Sequence, residues 1–418
     1  MIDFYRTSFA MVTVGALLAA TPAKAQDQET QRCHTTEFTR ALEDTDPHYL
    51  ASRAEALEQM ARWEAEHPDG GERAVLTIPV VVHVVYKTSV QNISDAQILS
   101  QIDVLNEDYR KLNADVANLP SAFSSFAADC EIEFQLAVRD PDDLPTNGIT
   151  RTETTASGFS GDEVKSSAQG GKDPWPASRY MNIWVCNLTG GLLGYTYPPG
   201  VGPSIDGLVI GYRYFGRVGT LSSIYNKGRT TTHEIGHYLN LEHLWGAGAA
   251  NTNCNADDGV TDTPKQDSEN FGCPQFPEVS CSNGPNGDMF MNYMDYTNDA
   301  CMFFFTNGQK TRMRAALQGS RASLLSSDAL TPTVPGVAEL GMTMLQMYPN
   351  PADREVTLVL AERIGPCTVR VIDGVGRTVE TGTHPNSERI VIDLSQLASG
   401  SYTVEAIGTT GHARQRLI

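Results

Sequence analysis

The sequence predicts an α+β domain of mixed strands and helices, followed by a small all-β sandwich. Two patterns carry this reading. Ile78–Tyr86 is a continuous apolar run rich in β-branched residues, so a buried strand, and a helix-spaced segment and further short strands follow it. From residue 344 the pattern changes. Val356, Leu358 and Leu360 recur at every second position, as do Val369 and Val371, Ile390, Ile392 and Leu394, and Tyr402, Val404 and Ala406. That is the period of strands half-buried in an antiparallel sheet. At 418 residues the chain is long enough for two or three domains.

Residues 1–25 read as a secretory signal. Arg6 supplies the charge, Phe9 to Ala20 the apolar core, and Ala23-Lys24-Ala25 the cleavage site. That core is too short to span a bilayer, and no other stretch is long enough for a transmembrane helix. Residues 26–77 are polar and rich in Glu and Arg, with a helix expected over Pro47–His67; they are too few to build a large core of their own. This stretch reads as a propeptide, and its one cysteine, Cys33, follows Arg32.

Residues 78–326 make up the α+β domain. After the first strand, Ser94 opens a capping box with Gln97, and Ile98, Ile102, Leu105 and Tyr109 recur at helical spacing. Ile132–Ala137 and Met181–Val185 are further strands, and His83 inside the first strand reads as a satisfied core histidine. Gly190–Pro199 and Gly207–Tyr212 read either as sheet-edge material, where an extended peptide could add through main-chain hydrogen bonds, or as an ordinary hairpin.

The densest chemistry lies in TTHEIGHYLNLEH, Thr231–His243. His233 and His237 are four apart and share one helical face. With Glu234 they form H-E-x-x-H, the two-histidine zinc motif with a glutamate as general base. His243 reaches the same metal only if the chain turns sharply, and Asn240, a residue tolerant of the left-handed conformation, stands where that turn must come. Three histidines leave a fourth zinc position open, as catalytic sites require.

After His243 the chain is acidic. Asp257, Asp258, Asp262 and Asp267 lie close together in sequence and repel one another unless a cation joins them; oxygen ligands suit calcium. Four of the eight cysteines, Cys254, Cys273, Cys281 and Cys301, crowd the same region, which points to disulfides and an oxidising compartment, with three pairings open. A net charge of −19 argues against nucleic acid as a partner, because phosphates would be repelled. Thr306 and Gln309 cap a last helix through about Leu317.

HEIGHYLNLEHLWG and the later GDMFMNYMDYTNDAC together resemble the metzincin metalloproteases, and within them the pappalysin-type, or cytophagalysin, branch. The likeness covers roughly Ile78 to Met313, with Asn240 where the metzincin pattern has glycine. It implies a mixed twisted sheet plus helices around an active-site cleft, and a secreted zinc endopeptidase made as a latent zymogen that hydrolyses protein or peptide substrates. His233, His237 and His243 would hold zinc, Glu234 would act as general base, and Tyr296 would hydrogen-bond the developing oxyanion. Met294 would lie on the turn beneath the zinc. Cys33 would fill the open zinc position in the latent form, making the propeptide its own inhibitor. The likeness further implies calcium at Asp258, the Val260 carbonyl and Thr263, and the pairings Cys254–Cys281 and Cys273–Cys301. Relatives with an acidic pocket floor favour a basic residue after the cleaved bond, and Asp295 and Asp299 follow the Met-turn, so the same preference is expected here. The competing reading is a non-catalytic secreted adhesin or binding protein with a structural zinc, for which Glu234 has no use.

Residues 327–343 form a linker with two prolines. In 344–418, Tyr348-Pro-Asn-Pro351 and Leu397-Ala-Ser-Gly-Ser-Tyr402 resemble the C-terminal sorting domain of the bacterial type IX secretion system. That implies export through the periplasm to the cell surface or medium, with the secretion machinery as partner.

Overall fold

The computed structural model describes residues 31–67, 70–71, 74–246, 254–333, 345–360, 364–374, 376–408 and 412–418. The signal sequence expected at 1–25 and most of the expected linker lie outside them.

The described residues open with strand β1 (Gln31–Cys33), helix α1 (Thr35–Thr45) and helix α2 (Pro47–Glu66). Asp46 ends α1 and caps α2, its carboxylate accepting from the amides of His48 and Tyr49, with Pro47 at the first helical position. Strand β2 (Leu76–Tyr86) then crosses the domain centre, and α3 (Asp95–Tyr109) follows. Ser94 accepts from the Gln97 amide as expected, but only half of the capping box forms. The Gln97 side chain turns away to donate to the Tyr212 and Phe215 carbonyls, because that loop would otherwise leave buried polar groups unpaired.

Strands β3 (Ile132–Leu136), β4 (Ile149–Glu153), β5 (Met181–Cys186), β6 (Leu192–Tyr195) and β7 (Leu208–Gly211) complete a seven-stranded mixed sheet. Its order is β1-β6-β7-β5-β2-β3, with β4 also on β2. β2 is long enough to pair with β5 on one side and with β3 and β4 in succession on the other. The β6–β7 pair is antiparallel, and the other pairs are parallel. Both faces are covered. Val80, Val82 and Val84 join the core under α3, while Val85, Trp184 and Val209 face the other side, which is why β2 reads as one unbroken apolar run. His83 is fully buried, with Nδ1 on Thr150 and Nε2 on Asn182.

Of the two stretches expected at a sheet edge, Gly207–Tyr212 supplies β7, which lies inside the sheet, whereas β6 from Gly190–Pro199 has its outer edge taken by an extended segment, β1, running parallel to it, and pairs antiparallel with β7 on the other side. All four β6 residues are buried.

Helices α4 (Arg229–Tyr238) and α5 (Asn307–Gln318) complete the domain. The capping box at Thr306 and Gln309 is present in full, and Asp262 adds a carboxylate to the same helix start by accepting from Thr306 Oγ1 and the Gly308 amide. Cys254 pairs with Cys281 and Cys273 with Cys301.

The C-terminal region holds β8 (Leu345–Tyr348), β9 (Glu355–Leu360), β10 (Cys367–Ile372), β11 (Thr378–His384), β12 (Arg389–Asp393), β13 (Tyr402–Gly408) and β14 (His412–Leu417). They form two antiparallel sheets, β11-β10-β13-β14 and β12-β9-β8, around one core that includes Val356, Leu358, Val369, Ile390 and Val404. Among the described residues, no helix is long and apolar enough to cross a membrane.

Candidate active site

α4 starts at Gly228, whose φ of +76° admits the tight entry, and at a carboxylate. Asp299 Oδ2 accepts from the Lys227 and Arg229 amides at 2.8 and 3.2 Å, meeting donors that a helix start leaves free. The Arg229 side chain is buried among Asp108, Asp115 and the carbonyls of Asp299 and Met302, so the helix N-terminus is pinned from below. Asp108 also accepts from Thr232 Oγ1 and Tyr293 Oη.

His233 and His237 project from the same face of α4, and the helix stops one residue later. Asn240 takes φ +73°, the left-handed conformation its position in the motif anticipated, and the chain doubles back to bring in His243. The Nε2 atom of His237 lies 3.1 Å from that of His233 and 3.0 Å from that of His243. Nδ1 of His233 donates to the Tyr293 carbonyl and Nδ1 of His237 to the Leu241 carbonyl, each at 2.7 Å, which fixes the tautomer and turns each Nε2 lone pair inward. Burial lowers the pKa of all three rings, that of His237 to about 4, so they are neutral. Three neutral imidazoles with lone pairs converging on one point repel one another; a divalent cation there makes them ligands, and three-histidine donor sets suit zinc. His243 also stacks on Trp245 with ring centroids 4.6 Å apart.

Cys33 Sγ lies with these nitrogens, all within 4.8 Å of one another. In the absence of a cation, burial and then the Glu234 carboxylate hold the thiol pKa well above its usual value; a bound metal reverses that preference. Glu234 is fully buried beside the cluster. Its Oε2 accepts from Thr35 Oγ1 at 2.9 Å and from Cys33 Sγ at 3.5 Å, while Oε1 has no protein partner. Burial pushes its pKa up to about 8, against the lowering pull of those two hydrogen bonds. β6 passes directly over it: a Cβ on Gly194 would sit 3.2 Å from Glu234 Cγ.

Tyr296 Oη points at the Cys33 carbonyl, 3.4 Å away, and its ring stands edge-on to His243 and Trp245. Met294 lies fully buried under α4, where a Cβ on Gly236 would come within 2.4 Å of its sulfur. Asn292 holds that turn by accepting from the Met294 amide and exchanging amide hydrogen bonds with Gln309 of α5.

Of the two aspartates past the turn, only Asp299 faces the cleft. Asp295 is consumed internally, accepting from Gln266 Nε2, Asn270 N and Nδ2, and Tyr296 N. Asp299 Oδ1 instead meets Arg32, whose guanidinium also donates to the Thr297 carbonyl and to Met302 Sδ and lies over the Tyr225 ring. Arg32 is 1% exposed. Sequence reasoning missed its role, along with Thr35, β1 and α1. The thiol of Cys33 was expected at the metal, but nothing local said that the guanidinium of Arg32 enters the cleft beside it.

The four aspartates of the acidic loop do not share a site. Asp257 pairs with Lys265, Asp262 serves α5, and Asp267 accepts from the Cys254 amide. Asp258 stands apart: Oδ1 accepts from the Val260 amide and Thr263 Oγ1, the Val260 carbonyl lies 2.8 Å from that same hydroxyl, whose one proton cannot serve both oxygens, and Oδ2 is buried without a protein partner.

A family model described as pregnancy-associated plasma protein-A matches residues 165–318, and one described as a secretion system C-terminal sorting domain matches residues 346–418. An extracellular metalloprotease of Arthroderma otae is 33% identical over 261 residues, 60% of this chain and 80% of that protein. One from Pyricularia oryzae is 33% identical over 282 residues, covering 64% and 86%. Among solved structures, a Tannerella forsythia promirolysin mutant is 46% identical with a TM-score of 0.63, covering 73% of this chain and 100% of that one. Mature mirolysin from the same organism, in complex with a cleaved peptide, is 52% identical with a TM-score of 0.60, covering 63% and 99%.

Proposed function

The chain belongs to the pappalysin-type family of secreted zinc metalloendopeptidases and carries a type IX sorting domain, and on that premise we propose how its own residues hydrolyse a peptide bond and keep it latent. The observation that carries the proposal is the convergence of three Nε2 lone pairs with the buried carboxylate of Glu234 beside them. His233, His237 and His243 hold the zinc. When bound, the metal polarises the scissile carbonyl and acidifies the attacking water. Glu234 accepts the proton of that water and returns it to the leaving amine. Tyr296 donates a hydrogen bond to the carbonyl oxygen as charge grows on it. Met294 and the Asn292–Gln309 pair fix the floor under α4. The test is hydrolysis of gelatin by the zinc-loaded chain freed of the segment that precedes β2. Cleavage abolished by a chelator is expected, and no cleavage of any protein substrate would overturn the proposal.

Residues 1–25 act as the signal and 26–77 as the propeptide of a catalytic domain spanning 78–326, with 327–343 the linker to the sorting domain at 344–418. The promirolysin structure covers a larger share of this chain than the mature form does, 73% against 63%, which supports a zymogen. Cys33 Sγ would complete the zinc ligand set in the latent chain, and Arg32 takes the pocket floored by Asp299. Arg32 precedes Cys33, so the segment enters pocket-first. A substrate whose basic residue follows the scissile bond enters with the opposite polarity. The propeptide therefore lies backwards in the cleft and presents a sulfur where a substrate presents a carbonyl. The same pocket gives the mature enzyme its preference for a basic residue after the cleaved bond: an anion, a carbonyl and an aromatic face surround the guanidinium. Calcium takes Asp258, the Val260 carbonyl and Thr263, where the buried, unpartnered Oδ2 calls for a cation.

A further inference from the structure

We propose that the face of the catalytic domain beneath α2 is a docking site in its own right, and that it keeps the N-terminal segment bound as an inhibitor after the link to β2 is cut. The proposal rests on the reading that β1 and α1 block the cleft.

The segment touches the domain in two separate places. In the cleft, Arg32, Cys33 and Thr35 make the contacts described above. Away from it, α2 lies across α5. Tyr49, Ala56, Met60 and the half-buried Trp63 fall on one helical face, and Ala56 and Met60 are buried in one cluster with Ala315 and Ala316. The receiving surface is built of small residues that let the helix come close. A Cβ on Gly200 would stand 2.7 Å from Arg53 Cα and 2.8 Å from Arg53 N. Arg53 donates to the Pro199 carbonyl at 3.2 Å, and Glu64 lies 3.7 Å from Arg312. This is the geometry of an amphipathic helix seated in a groove.

The link is held as well. The Arg314 guanidinium donates to the Gly70 carbonyl at 2.8 Å and to the Ala74 carbonyl at 3.1 Å, so one arginine grips the chain at both ends of the link. Severing that stretch removes neither the α2 contacts nor the cleft contacts. Two weak sites joined through α1 then act as one bivalent ligand, with the second contact favoured by the high effective concentration the first creates. The occupant of the groove is thus the protein's own severed segment, and full activity requires its separate removal or destruction.

The experiment uses the full zinc-loaded chain with a specific protease site replacing residues 71–74. After cutting, the sample is gel-filtered without denaturant and assayed on a peptide. Expected is co-elution of the segment with the domain and activity that rises only slowly or on dilution. Met60→Glu, which buries a charge in the α2 seat and touches nothing in the cleft, is expected to release the segment about tenfold faster or more. Ala56→Arg provides a second disruption of the seat. Prompt loss of the wild-type segment, at the rate of these variants, overturns the docking site. The underlying reading fails separately: it is wrong if the uncut wild-type chain cleaves the peptide freely, whatever elutes with it.

Discussion

Arg32 Nη2 lies 3.4 Å from Asp299 Oδ1, while the other oxygen of Asp299 caps the helix that carries His233 and His237. One carboxylate therefore serves both the side-chain pocket and the start of the metal-binding helix. Replacing it by alanine is expected to lower kcat/KM for peptides with Arg after the scissile bond relative to Leu by about 10- to 100-fold, the worth of a charge-assisted hydrogen bond. The ratio of the two substrates separates this from any general loss of stability, about 1 kcal/mol, through the missing cap. An unchanged ratio would remove Asp299 from recognition.

Gly236 and Met294 are in contact across the floor of the site. A methyl group at residue 236 would meet the sulfur at 2.4 Å, so Gly236→Ala is expected to lose about 1–3 kcal/mol in denaturant unfolding and to bind zinc more weakly. Met294→Ala in the same background should return part of that loss by making room. No recovery would mean the contact is not what requires glycine.

Asn240 holds φ +73° with a side-chain oxygen that has no partner. Its backbone conformation, not a hydrogen bond from that oxygen, is what the site uses. Asn240→Gly is therefore expected to keep full zinc affinity and activity, while Asn240→Ala costs about 1–2 kcal/mol for the left-handed turn. Equilibrium zinc titration of the two variants checks this.

Asp258 gives a pH signature. Burial raises its carboxyl from 3.8 to about 7, against lowering by Thr263, the Val260 amide and Arg312, with Asp257 adding a smaller raising effect. A raised acid contributes stability below its unfolded pKa and loses it as pH rises through the folded value. The calcium-free protein should thus lose stability between about pH 4 and 7, and calcium binding, which needs the ionised carboxylate, should strengthen across the same range. The expected result is a larger calcium-induced rise in Tm at pH 8 than at pH 6, absent in Asp258→Asn. Equal shifts at both pH values would place the calcium elsewhere.

The parts of the fold read from sequence were those where periodicity and capping are local. β2, α3, β3, β5, the capping box of α5 and four strands of the sandwich all fell where alternation or helical spacing put them. β4 and β11 escaped because none of their residues is fully buried and they carry no apolar alternation. The histidines, Asn240 and the two disulfides were legible because ligand spacing and family motifs are written along the chain. Arg32, Thr35 and the parallel pairing of β1 with β6 were not. They depend on a contact between residues some 200 positions apart, and only the folded sheet brings its edge to the N-terminal segment. The aspartates misled for the same reason: adjacency in sequence put four carboxylates together, and the fold gave three of them separate partners.

If Glu234 moves the proton at a metal held by His233, His237 and His243, then Glu234→Gln, in the chain freed of the segment before β2, should keep the metal and lose the reaction. Measured for bound zinc and for peptide hydrolysis, it is expected to hold one equivalent of zinc, as the wild type does, with hydrolysis reduced by about 10²- to 10⁴-fold, the usual worth of a general base. Wild-type rates in the zinc-loaded variant would contradict that role.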